Sequence, residues 1–145
     1  MSMQPSDTPG LDELTREECL RLAASHSVGR LAVADRGRPP LVVPVNYVLD
    51  VDAVVFRSDP GMKVHLARQY PVSFQVDFID PSHRGGWSVL ISGLAVEVEP
   101  SEVAHLDLEP WVGGAKAHWM RLLASEVSGR RIRLADVPRD PRGYL

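Results

Sequence analysis

The stretch VGRLAVADRGRPPLVVPVNYVLDVDAVVFR, Val28–Arg57, decides the fold. Its apolar runs are short and valine-rich, and each ends in a cluster of turn-forming residues. Val28 to Ala34 reads as a first strand, closed by the turn Asp35-Arg36-Gly37. Pro40 to Leu49 reads as a second, closed by Asp50-Val51-Asp52, and Ala53 to Arg57 as a third. Such brief connections suit hairpins, so the three strands form an antiparallel meander. Pro44 lies inside the second strand and has no N–H to give a ladder, which assigns it to an edge or a bulge.

Upstream of the meander the periodicity is helical. Thr15 followed three residues later by Glu18 is a capping-box pattern, in which each partner satisfies an orphan backbone N–H. The helix runs from Thr15 to about His26 and sets Cys19, Leu22 and Ala23 on one face, with Cys19 as core filler. Residues 1–12 are polar and punctuated by Pro5, Pro9 and Gly10. They lack a charged region followed by an apolar core, so they read as a loose tail rather than a signal peptide, ahead of a single domain over 13–145.

Downstream, Ser58-Asp59-Pro60-Gly61 opens a short helix from Met62 to about Tyr70, with Met62, Leu66, Ala67 and Tyr70 on its buried face. Val72 to Ile79 is a fourth strand, and Asp80 to Gly86 a polar loop. Trp87 to Glu99 is a long fifth strand, with Gly93 marking a bulge or a barrel corner. Ser101 is expected to cap a small helix to Leu108, and Trp119 to Leu134 to supply two more strands broken near Ser125. Six or seven antiparallel strands with few, short helices make a mainly β chain and argue for a small β-barrel.

Bulk properties narrow the function. The 145 residues carry 16 basic and 19 acidic side chains, a net charge of -3, and no Lys/Arg-rich run, so the electrostatic footprint of a nucleic-acid binder is missing. No apolar stretch approaches the roughly 20 residues needed to cross a bilayer. The single cysteine excludes an intramolecular disulfide and fits a reducing, cytoplasmic setting. Five histidines are scattered without ligand spacing, so no metal site is expected. The chain has no GxSxG elbow, Walker loop or GxGxxG turn, and no side chain stands out as a catalytic nucleophile.

Three segments could carry binding chemistry. Lys63, one of only two lysines, falls in the first turn of the second helix, where a cation is disfavoured by the helix dipole. An anion held there by free backbone N–H groups, Lys63, Ser58 and Arg57 would resolve that conflict, and phosphate is the obvious candidate. A lysine pointing into solvent is the plainer alternative. In Pro44-Val45-Asn46-Tyr47 the proline leaves backbone groups free to bond the polar edge of a flat heterocycle, and Asn46 adds a donor and an acceptor. Trp87-Ser88 opens the fifth strand, where the indole is either core or the wall of a ring-binding cleft.

Taken in order, VGRLAV (Val28–Val33), VPVNYVLD (Val43–Asp50), VVFRSDPGMKVHLA (Val54–Ala67), VDFID (Val76–Asp80), GWSVLISGLA (Gly86–Ala95), EPW (Glu109–Trp111) and VSGRRI (Val127–Ile132) resemble the pyridoxamine 5'-phosphate oxidase-related family. These are FMN-binding split β-barrels, and the likeness is closest to a short branch similar to nitroimidazole-resistance flavoproteins. The resemblance implies a homodimer with FMN at the subunit interface. It assigns the phosphate to Arg57, Ser58 and Lys63, the isoalloxazine to Pro44, Val45, Asn46 and Tyr47 with Trp87 and Ser88 nearby, and Trp111 to the partner's site. It also implies an oxidoreductase that passes a hydride from reduced flavin to a small electron acceptor, a quinone or nitroaromatic, with NAD(P)H as a candidate donor. The tail Val137–Leu145 lacks the histidine-containing substrate segment of the vitamin-oxidising enzymes, which argues against that activity here. Alternatives are the same barrel using the deazaflavin F420, and a non-catalytic flavin or haem carrier.

Overall fold

The computed structural model describes residues 11–58, 64–108 and 118–132. Strand β1 (Leu11–Glu13) leads into helix α1 (Arg16–Ala24), followed by β2 (Val28–Asp35), β3 (Arg38–Asp50) and β4 (Ala53–Ser58). Helix α2 (Val64–Gln69) then precedes β5 (Val72–Asp80), β6 (Gly85–Val98) and β7 (His118–Ile132). All pairings are antiparallel, in the order β1-β7-β4-β3-β2-β5-β6, and β6 also pairs with β7, which closes the wall into a barrel. This is the mainly β split-barrel architecture expected from the sequence. No helix among the described residues is long and apolar enough to cross a membrane.

Alternation along each strand builds the interior. Leu31 and Val33 of β2, Phe74 and Val76 of β5, Val89 and Ile91 of β6, Val54 and Phe56 of β4, and Met120 and Leu122 of β7 all turn inward and are buried. Burying each large side chain stabilises the fold by roughly 1.5–3 kcal/mol. Helix α1 packs into this core through Cys19 and Ala23, and burial pushes the Cys19 thiol pKa up. Thr15 caps the helix as the sequence indicated, its hydroxyl accepting from the Glu18 N–H at 3.2 Å. Gly129 lies under the helix, where an added Cβ would sit 2.7 Å from the Cys19 sulfur.

Three expectations change. Leu11 and Asp12, read as tail, join the sheet through pairing with Ile132 and Arg131. Ser101 caps nothing: Pro100 begins a single 3-10 turn, Pro100–Glu102, capped by Glu99, whose N–H donates to the Glu102 carboxylate at 2.8 Å. The last strands are one strand, β7. Ser92 faces Glu126 and Gly93 faces Ala124, so Ser125 is the extra residue of a bulge, and its hydroxyl donates to the Ser92 carbonyl at 3.1 Å. The polar Ser125-Glu126 pair that suggested a break is an outward-facing bulge in a continuous wall. Gly93 marks it, as expected, because a Cβ there would stand 1.9 Å from the Leu123 carbonyl oxygen.

Candidate functional site

The strand carrying Pro44 changes character along its length. Among the described residues, β3 pairs from Arg38 to Asn46 on one side only, with β2, and from Tyr47 to Asp50 it pairs with β4 instead. Pro39, Pro40 and Pro44 all fall in that one-sided half, where a missing N–H breaks no second ladder. This half is the edge that the proline indicated, a lip in the barrel wall.

Alternation decides what the lip presents. Val45 (5% exposed) and Tyr47 (2%) turn into the core, so Val45 offers a ligand only its backbone and the Tyr47 N–H is already given to the Ser27 carbonyl at 3.0 Å, while Pro44 and Asn46 take the outer face. The Tyr47 phenol donates to the Ala23 carbonyl at the end of α1, and its ring meets Phe74 edge-on at 4.6 Å. Burial raises its pKa.

Arg57 and Ser58 end the neighbouring strand, one step beyond the Tyr47–Phe56 pair, which sets them beside the lip. Arg57 is partly buried and pairs with Trp119 across β7. Ser58 is completely buried, and its hydroxyl donates to the His118 carbonyl at 3.2 Å and lies 3.3 Å from the His118 N–H. The His118 ring pairs with Glu97 of β6. Glu97 and His118 went unnoticed in the sequence, because only the register of three strands brings them to the end of β4. They line a hollow of about 240 Å³ together with Glu99, Glu102 and Trp119.

Trp87 and Ser88 separate. The row Phe78–Trp87–Arg131 faces the inside of the sheet, where the indole packs on the core and meets His26 edge-on at 5.0 Å. Ser88 belongs to the outer face. Pro44, Arg30, Gln75 and Leu90 lie in register across β3, β2, β5 and β6, with Asn46 and Ser88 each two residues along from this row. Three inter-strand spacings put Asn46 and Ser88 about 14 Å apart. Between them Arg30 reaches the Gln75 side-chain oxygen at 3.3 Å, and the Gln75 amide donates to Asp77 at 2.7 Å. The outer row presents Pro44, Asn46 and Ser88, while the Trp87 ring packs toward the inner side and also borders, with Ser88 and Arg130, a hollow of about 180 Å³.

The structure thus gathers Pro44, Asn46 and Arg57 around one edge, with the buried Ser58 beneath it; the Asn46 amide and the Arg57 guanidinium are the side-chain donors there. Lys63 and Trp111 lie outside the described residues. Among the described residues no group of three His, Cys, Asp or Glu side chains is placed to hold a metal.

Comparison with known proteins agrees with this architecture. The model of the pyridoxamine 5'-phosphate oxidase family matches residues 15–131. A Mycobacterium tuberculosis protein of uncharacterised function is 35% identical over 137 residues, spanning 88% of this chain and 90% of its own. The structure of an FAD binding protein from Mycobacterium smegmatis superposes with a TM-score of 0.71 at 32% identity, covering 83% of this chain and 97% of that one. An FAD-binding protein from Mesorhizobium loti gives a TM-score of 0.69 at 30% identity, covering 86% and 98%. With its core strands, α1 and the lip all inside the matched span, the chain belongs to the pyridoxamine 5'-phosphate oxidase family.

Proposed function

We propose that this chain is a flavin-binding oxidoreductase that carries FMN as a homodimer in the cytoplasm. The observation that carries the reading is the one-sided half of β3 with the end of β4 beside it. Backbone groups of Pro44–Asn46 that no second strand engages can bond the polar edge of the flavin ring, next to Tyr47, where β4 takes over the pairing, and the Asn46 amide adds a donor and an acceptor. Arg57 and Lys63 supply cations for the phosphate, with Ser58 fixing the strand end that presents them. A partly buried arginine beside a phosphate forms charge-assisted bonds about twice as strong as neutral ones. The FAD-binding relatives support a flavin in general.

A second copy of the chain fits the same geometry. The Trp87 ring faces away from Asn46, and the lip exposes Val42 (60% exposed) beside half-buried Leu41 and Val43. Packing this lip against a two-fold partner would cover the apolar edge and close the flavin between subunits, with Trp111 reaching across. The flavin itself supplies the hydride chemistry when bound. The protein's residues bind it, orient it and leave one ring face open to a flat electron acceptor such as a quinone or nitroaromatic.

The test is spectroscopic. Purified protein titrated with FMN, FAD and F420 is expected to bind FMN, and the reduced complex is expected to reoxidise when mixed anaerobically with a quinone. Failure to bind either FMN or FAD would overturn the reading. Binding without reoxidation by any flat acceptor would leave a flavin carrier in its place.

A further inference from the structure

The indole that the outer face leaves unused lines a second hollow. At the distal end of the β5–β6 hairpin, Phe78, Trp87, Arg131, Asp80 and His83 surround a cavity of about 360 Å³. It opens on the inner face of the overhanging strands, since β5 beyond Gln75 pairs only with β6. Its walls are aromatic: Phe78 is 49% exposed although it belongs to the inward row, and His26 lies 6.1 Å from it and 5.0 Å from Trp87. A large apolar ring left half in water gains by covering.

The polar groups of the hollow point to the sign of the occupant. Arg131 is partly buried, and its guanidinium has no ion-pair or hydrogen-bond partner among the described residues, Asp12 opposite it on β1 included. A guanidinium left without an ion pair at the wall of an aromatic hollow is a ready partner for an anion, with which it forms charge-assisted hydrogen bonds. Asp80 does not serve as that anion. One of its oxygens accepts from the Ser82 N–H and hydroxyl and from the His83 N–H at 3.1, 2.7 and 3.2 Å. The other lies 2.6 Å from the His83 Nδ1. The Ser82 hydroxyl, then the His83 ring, hold the Asp80 pKa down to about 2, so it stays a carboxylate and its charge is spent on its own turn. With Nδ1 donating to Asp80, the His83 Nε2 is left as a second polar contact at the rim.

We infer that this hollow binds a flat aromatic carboxylate, its ring between Phe78 and Trp87 and its anion on Arg131. The site is distinct from the proposed flavin edge: Arg131 shares the inner face with Trp87, while Arg130, the next residue, faces the other way and borders, with Ile79, Trp87 and Ser88, an adjoining hollow of about 180 Å³. The inference does not depend on flavin chemistry.

The experiment uses the protein as purified, with 2-naphthoate as the probe and neutral 2-naphthamide as its uncharged counterpart. Calorimetry reads affinity and the Trp87 indole N–H resonance reads location. Naphthoate is expected to bind at least about tenfold more tightly than naphthamide and to shift the Trp87 signal. Arg131→Gln is expected to abolish the preference, Arg130→Gln to leave it, and both variants to keep the parent's affinity for FMN. Equal affinity for acid and amide, equal loss in the two arginine variants, or no shift of the Trp87 signal would overturn the proposal. A parallel FMN titration keeps this outcome separate from the flavin reading, because either ligand can fail while the other binds.

Discussion

Strands β7 and β3 are both long, but they meet the rest of the molecule differently. β7 is paired with β6 along nearly its whole length, and with β4 and then β1 on its other flank. β3 has one strand partner at a time among the described residues, β2 from Arg38 to Asn46 and β4 from Tyr47 to Asp50. β7 contains no proline, whereas the one-sided half of β3 contains Pro39, Pro40 and Pro44. A wall needs every N–H, while a lip can dispense with some, and polar backbone without a ladder partner is what a ligand can use. The barrel is sealed along β7 and left open along the Arg38–Asn46 flank of β3, where the proposed flavin would bind.

Substitutions along this contrast should differ widely in cost. Phe56 is fully buried in β4, between Tyr47 of β3 and Met120 of β7, so Phe56→Ala is expected to lower the stability of the fold by about 4 kcal/mol in urea unfolding. A loss below about 1 kcal/mol would mean that the wall is looser than described. Tyr47 stands where β3 passes from β2 to β4. Removing its hydroxyl in Tyr47→Phe takes one buried hydrogen bond from the Ala23 carbonyl, which keeps its backbone donors at the end of α1, and should cost about 1 kcal/mol, again by urea unfolding. Val42, on the lip, should be nearly silent: Val42→Lys is expected to change monomer stability by no more than about 0.5 kcal/mol. The same change should shift light scattering from twice 16.0 kDa toward 16.0 kDa if a second copy covers the lip.

Much of this was legible in the chain itself. The valine-rich runs between turn clusters located β2, β3 and β4, and Pro44 marked the edge, because proline's missing donor is a local property. Gly93 likewise marked the bulge by its missing Cβ. What depended on register was not legible. Ser125 looked like a break because its partner Ser92 lies 33 residues away. The Ser58–His118–Glu97 contact joins three strands whose alignment no local pattern encodes. The pair Trp87-Ser88 read as one feature, yet neighbouring residues on a strand serve opposite faces, so only Trp87 reaches the hollow beside Arg131, while both border the adjoining one.

The central claim is that a flavin phosphate is held where β4 ends beside the open half of β3. Fluorescence titration of FMN into the parent protein, Arg57→Gln, Lys63→Ala and the distant control Lys116→Ala tests it most directly. Losing a charge-assisted bond to phosphate should weaken FMN by about 10- to 150-fold in the first two variants. Lys116→Ala should match the parent. FMN affinities that are the same in all four proteins would contradict the account and move the phosphate elsewhere on the barrel.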